Sequence, residues 1–102
     1  YSILLACVIG PIVEEVFFRG FLYSAVRKYA GIGAAVVVSA GLFAMVHESL
    51  FAMIPIFFLG CVLAVVRERR GNLIPAITMH IIHNSILLGY FFIMKRGVID
   101  QI

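Results

Sequence analysis

Four long apolar runs, separated by short polar clusters, account for most of the chain. The first extends from about Ile3 to Tyr29 and is interrupted by Glu14, Glu15 and Arg19. Gly10-Pro11 within it predicts a kink or a restart, because proline removes an intrahelical hydrogen bond. The second run, Gly31 to His47, is short. The third, Leu50 to Val66, contains Pro55, which predicts a bend, and the fourth, about Leu73 to Met94, follows a polar turn over Arg67 to Asn72. No run alternates apolar and polar residues as a barrel strand would. A membrane crossing takes about 20 apolar residues, with about 17 as the short limit. The pattern therefore predicts an all-α, polytopic transmembrane helix bundle with about four spans.

Composition strengthens that reading. The 102 residues are 64% hydrophobic and 13% charged, with a mean hydropathy of +1.14, against roughly 45–50% apolar residues in an ordinary soluble domain. A multi-pass integral membrane protein is expected, in the plasma membrane if the cell is prokaryotic, with the lipid bilayer as a partner and no nucleic acid. The chain starts at Tyr1 and is apolar at once, without the basic segment of a signal peptide. Residues 1–102 are thus expected to be a single transmembrane core domain of a longer protein. Cys7 and Cys61 sit in apolar surroundings without metal-type spacing and read as small packing residues. Gly31, Gly33, Ala34, Ala35, Ser39, Ala40 and Gly41 would let neighbouring backbones approach closely. If successive spans reverse, Arg27, Lys28, Arg67, Arg69 and Arg70 share one face, and Lys95 and Arg96 the other; the positive-inside tendency makes the first face cytoplasmic.

The polar residues inside the spans are few: Glu14, Glu15, Arg19, His47, His80, His83 and Asn84. Each ionised group at mid-span costs of order 2.5–3.5 kcal/mol on insertion scales, so such groups face a cavity and pair with one another. Adjacent helical residues point about 100° apart, which gives Glu14 and Glu15 different tasks. Glu15 and Arg19 are spaced i, i+4 and predict an internal ion pair. Glu14 is left without a local partner and suits a group that takes up and hands on a proton. In an antiparallel hairpin His47 returns to the depth of Glu14, both about 20 Å from the shared loop. His80 and Asn84, again i, i+4, share one face of the fourth span, while His83 fits a lipid-side, packing or supporting place.

Glutamate and histidine can deprotonate a water, and imidazole with carboxamide can donate to the oxyanion formed on a peptide carbonyl. That chemistry is a hydrolase's. One glutamate and two histidines are equally a ligand set for catalytic zinc, with Glu14, His47 and His80 as the metal candidates, although no His-Glu-x-x-His is present. The spacing leaves both versions open. No serine or cysteine lies in an evident nucleophile setting.

Three motifs, "EEVFFR" (Glu14 to Arg19), "FAMVH" (Phe43 to His47) and "HIIHN" (His80 to Asn84), resemble in order and spacing the EExxxR, FxxxH and HxxxN motifs of the CAAX protease and bacteriocin-processing (CPBP, or Abi) family, which includes the type II CAAX prenyl endopeptidases. The resemblance covers about Gly10 to Leu88. It implies an all-helical intramembrane bundle around a catalytic cavity, in which Glu14 activates water with His47, His80 and Asn84 stabilise the oxyanion, and Glu15 and Arg19 shape or support the cavity. Members are commonly labelled metalloproteases, yet a glutamate-dependent reaction without bound metal is favoured here, so no cofactor is expected and zinc is the alternative. The implied substrate is a peptide or a prenylated protein. Two competing readings are a catalytically silent immunity or scaffold protein of the same family, and a proton-coupled carrier. The carrier would need a polar route to both faces, and the sequence supplies none towards Arg27 beyond His80 and Asn84.

Overall fold

The computed structural model describes residues 3–46 and 50–101, with the side chains of 3–46 and 50–95. The described chain is helical almost throughout. It begins with a π-helical turn, Leu5–Ile9, an α-helical segment, Gly10–Glu15, and a second π-helical segment, Val16–Leu22. A helix over Tyr23–Met45 follows and is broken at Gly31, where φ is 91° and ψ is 178°. Only glycine adopts that backbone freely. The break reverses the chain: the rings of Phe18 and Phe43 lie 5.4 Å apart, whereas an unbroken helix would separate them by roughly 37 Å. We call residues 5–30 α1, 32–45 α2, Leu50–Arg70 α3 and Ile74–Gln101 α4.

At both prolines the helix runs on, and one local expectation is corrected. At Gly10-Pro11 the π-helical turn gives way to an α-helical segment that starts at Gly10, which keeps helical dihedrals while its N–H bonds Leu5 O. The wider i→i−5 register lies just before the proline. Pro55 lies inside α3, which continues through it. Arg67 to Arg70 are helical rather than part of a turn, because Arg and Glu are good helix formers and basic residues suit a helix C-terminus. The turn itself is only 71–73: Gly71, at φ 74°, caps α3 through its N–H to Arg67 O at 3.0 Å. Asn72 Oδ1 then accepts the Ile74 N–H at 3.0 Å to open α4.

Small residues bring α2 and α3 together. Ala35, Ser39 and Ala40 of α2 are buried, as are Gly60, Leu63 and Ala64 of α3. A Cβ on Gly60 would sit 3.0 Å from both Cα and Cβ of Ala40, so the backbones approach as closely as a lipid-embedded interface demands. Below them the Tyr23 ring packs on Ala35 and Ala64.

The α1 and α3 ends are tied by polar contacts. Tyr23 Oη donates to Glu68 at 2.6 Å, Arg27 grips the same carboxylate at 2.7 and 3.1 Å, and Arg67 donates to Arg19 O at 3.2 Å. Arg27 and Arg67 therefore share one end of the molecule.

Leu50–Arg70 and the Ile74–Lys95 part of α4 are each long and apolar enough to cross a membrane. Only 17% and 6% of their apolar stretches are buried inside the protein, so neither is the core helix of a soluble domain. Phe51, Phe58, Phe91 and Phe92 point outwards, as a lipid-facing surface requires.

Candidate functional site

The charged cluster grows from the α1 stretch in which the helical register changes. Glu14 and Glu15 end the α-helical segment Gly10–Glu15, and Arg19 lies in the π-helical segment after it. Glu15 and Arg19 are fully buried, with Arg19 Nη1 donating to Glu15 Oε2 at 3.1 Å. Arg19 Nη2 donates to Gly60 O at 3.1 Å, and the guanidinium lies 4.4 Å from the centre of the Phe43 ring, close enough for a cation–π contact. Glu15 Oε1 and Arg19 Nε have no hydrogen-bond partner among the described residues.

His80 joins this pair from α4. Its Nδ1 lies 2.7 Å from Glu15 Oε2. A carboxylate only accepts, so the shared hydrogen belongs to Nδ1. The ring is buried and stands edge-on to Phe43, with centroids 5.6 Å apart. Its other nitrogen, Nε2, faces Glu14 Oε1 at 3.6 Å. One imidazole is thus clamped on one side by a buried carboxylate and presented on the other to a carboxylate whose side chain is 32% exposed.

Glu14, His80, His83 and Asn84 line one wall of a cavity of about 250 Å³, faced by Phe43, Ile56, Leu59 and Leu87. A neighbouring cavity of about 540 Å³ shares Glu14 and Asn84 and is otherwise lined by Leu5, Ala6, Ile9, Gly10 and Val13. Asn84 Nδ2 donates to Ala6 O at 3.1 Å, which turns Oδ1 towards His83 Nδ1, 3.4 Å away. A second Nδ2 hydrogen remains for a ligand.

Glu14, Glu15, Arg19, His80 and Asn84 accordingly meet in one place. His47 lies outside the described residues; Phe43, four positions before it in the sequence, is buried against Arg19 and His80. Two partners escape a reading of the sequence. Glu15 holds His80 as well as Arg19, a contact across 65 positions. Gly60 contributes a backbone carbonyl, which leaves no side-chain signature. His83 proves to line the cavity; its place one residue before Asn84 was the available signal.

For a metal, the described candidates supply two ligands, Glu14 and His80, and the carboxylate on His80 Nδ1 is the kind of outer partner that metal-bound histidines carry. Among the described residues no group of three or more His, Cys, Asp or Glu side chains is placed to hold an ion.

No curated protein and no solved structure matches the chain. Residues 1–86, spanning every motif described above, match the family of type II CAAX prenyl endopeptidase Rce1-like proteins. With that match over most of its length, and with Glu14, His80 and Asn84 of the EExxxR and HxxxN motifs lining one cavity, the chain belongs to the Rce1-like family of CAAX-type membrane endopeptidases.

Proposed function

We propose that this protein is a multi-pass intramembrane endopeptidase, its four helical rods crossing the bilayer, and that it hydrolyses CAAX-type prenylated or other membrane-associated peptides with a water activated by Glu14. The observation that carries this reading is the division of labour between the two glutamates. Glu15 is neutralised by Arg19 and committed to His80, whereas Glu14 faces the cavity with only the His80 ring, at 3.6 Å, as an ion-pair partner among the described residues.

Glu14, together with His47, takes the proton as water oxygen attacks the scissile carbonyl carbon. The carbonyl oxygen gains the negative charge and meets the free hydrogen of Asn84, and also His80 Nε2 once Glu14 has passed the water proton to that nitrogen. A proton held by Glu14 can reach Nε2 or the departing amine as the C–N bond breaks, and Glu15 keeps the imidazole oriented throughout. The adjoining cavity, lined chiefly by apolar side chains from α1, suits the extended apolar part of such a substrate. This scheme routes no step through a metal ion.

Reconstituted in liposomes, the protein should cleave a quenched fluorescent farnesylated CAAX peptide. Glu14→Gln, nearly isosteric, should lower kcat by about 10²–10⁴, and a chelator should leave the rate unchanged. Full activity in Glu14→Gln would remove the proposed base, and loss of activity with chelator, restored by zinc, would replace the metal-free route. A protein that cleaves nothing in a panel of prenylated and unprenylated peptides would be the silent scaffold.

A further inference from the structure

One carbonyl in α1 lacks a helical donor, and an asparagine from α4 supplies it. The N–H of Gly10 bonds Leu5 O, leaving Ala6 O without its ordinary i+4 partner. In the widened register the donor to Ala6 O would be residue 11, which is proline and has no N–H. Asn84 Nδ2 occupies the place, 3.1 Å from Ala6 O. Gly10 is part of the same device: a Cβ there would lie 2.7 Å from Leu5 O, so another residue would push open the turn that diverts the N–H. Pro11 is buried.

We infer that Gly10 and Pro11 are positioning residues for Asn84: together they withhold the backbone donors from Ala6 O, so that the carboxamide of Asn84 is drawn onto it and its remaining hydrogen is held in a fixed orientation beside Glu14 and His80. The inference rests on the proposed oxyanion role of Asn84. A carboxamide is planar, so fixing one N–H fixes the other. Without the anchor, Asn84 would turn about its side-chain torsions, and misplacement by about 1 Å can cost on the order of 100-fold in rate.

Pro11→Ala tests this without threatening the helix, since alanine is the better helix former. It restores a backbone N–H that lets α1 relax to the ordinary register, in which Gly10 N–H reaches Ala6 O. The chain contains two asparagines, Asn72 and Asn84, so selective ¹⁵N-asparagine labelling in micelles resolves their carboxamides. In the wild type the Asn84 pair should exchange slowly with solvent. Pro11→Ala should shift it and speed its exchange at least tenfold, with the Asn72 pair unmoved. Gly10→Ala should do the same by blocking the turn. For peptide cleavage, Pro11→Ala should lower kcat by up to about 100-fold at nearly constant KM, yet have no further effect in an Asn84→Ala background.

An Asn84 carboxamide that ignores both substitutions overturns the inference, as does a Pro11→Ala loss that simply multiplies with that of Asn84→Ala. Should the wild type cleave no peptide, the proposed function fails, while the carboxamide spectra still decide whether Gly10 and Pro11 hold Asn84.

Discussion

Replacing Glu15 by glutamine removes one charge from a buried pair and changes almost nothing in shape. Both side chains are fully buried, and Arg19 Nη1 is 3.1 Å from Glu15 Oε2, so the substitution leaves a guanidinium in an apolar interior without its counter-ion. Breaking such a pair by removing one partner costs about 3–5 kcal/mol. Arg19 keeps the Gly60 carbonyl at 3.1 Å and the Phe43 ring at 4.4 Å, the latter contributing on the order of 2 kcal/mol when desolvated. The glutamine carbonyl can still accept from His80 Nδ1. The low end, about 3 kcal/mol, is therefore expected, or roughly 100-fold in the folded-to-unfolded ratio. Equilibrium unfolding in mixed micelles, followed by circular dichroism, measures it. The decisive comparison is Glu15→Gln combined with Arg19→Met, which removes the stranded charge and should recover most of the loss, because apolar replacement of a whole buried pair is often neutral or better. A single variant that costs under about 1 kcal/mol, or a double variant as unstable as the single, would refute the argument that the two charges exist for each other.

The same unfolding assay checks four further substitutions. Gly31→Ala should cost about 1–3 kcal/mol through backbone strain alone, since nothing lies within 4 Å of a Cβ there and φ is 91°; a neutral result would mean that the hairpin tolerates another geometry. Gly60→Ala should cost about 1–3 kcal/mol by overpacking, its Cβ meeting Ala40 at 3.0 Å and Arg19 Nη2 at 3.1 Å. Gly33→Ala, in open space on the same hairpin, should instead stabilise by about 0.5–1 kcal/mol, and equal signs for these two would discount the close approach of α2 and α3. Tyr23→Phe should cost about 1 kcal/mol, because Glu68 loses the 2.6 Å hydroxyl but retains Arg27.

How much of this was legible in the sequence depends on range. The Glu15 and Arg19 pair follows from i, i+4 spacing on one helix, and the hairpin between α1 and α2 follows from the apolar runs on either side of Gly31. The all-helical architecture follows from hydropathy. What could not be read is what crosses between helices or runs through the backbone. Spacing assigned Glu15 to Arg19, and nothing in the sequence says that the same oxygen also holds His80. The Gly60 carbonyl and the Ala6 carbonyl are acceptors that every residue possesses; they matter because one faces a buried guanidinium and the other has lost its helical donor. Gly10-Pro11 was visible as an irregularity, but nothing in the sequence says that the helix widens just before it. The charges of Arg67 to Arg70 suggested a loop, whereas the helix runs on and Gly71 ends it.

Two adjacent glutamates in an otherwise apolar helix are costly unless their surroundings differ, and His80 makes them differ. Pointing about 100° apart, the carboxylates cannot be satisfied by one cation, and Arg19 reaches only Glu15 at hydrogen-bond range. His80 approaches between them with unequal distances, 2.7 Å to Glu15 and 3.6 Å to Glu14. The shorter contact immobilises the ring and fixes which nitrogen carries the hydrogen; the longer one leaves Nε2 and Glu14 facing each other across a gap wider than a hydrogen bond. In the proposed reaction the water and the carbonyl take the cavity beside this pair, which Glu14, His80 and Asn84 line, and it is on Glu14 that loss of activity should be most severe.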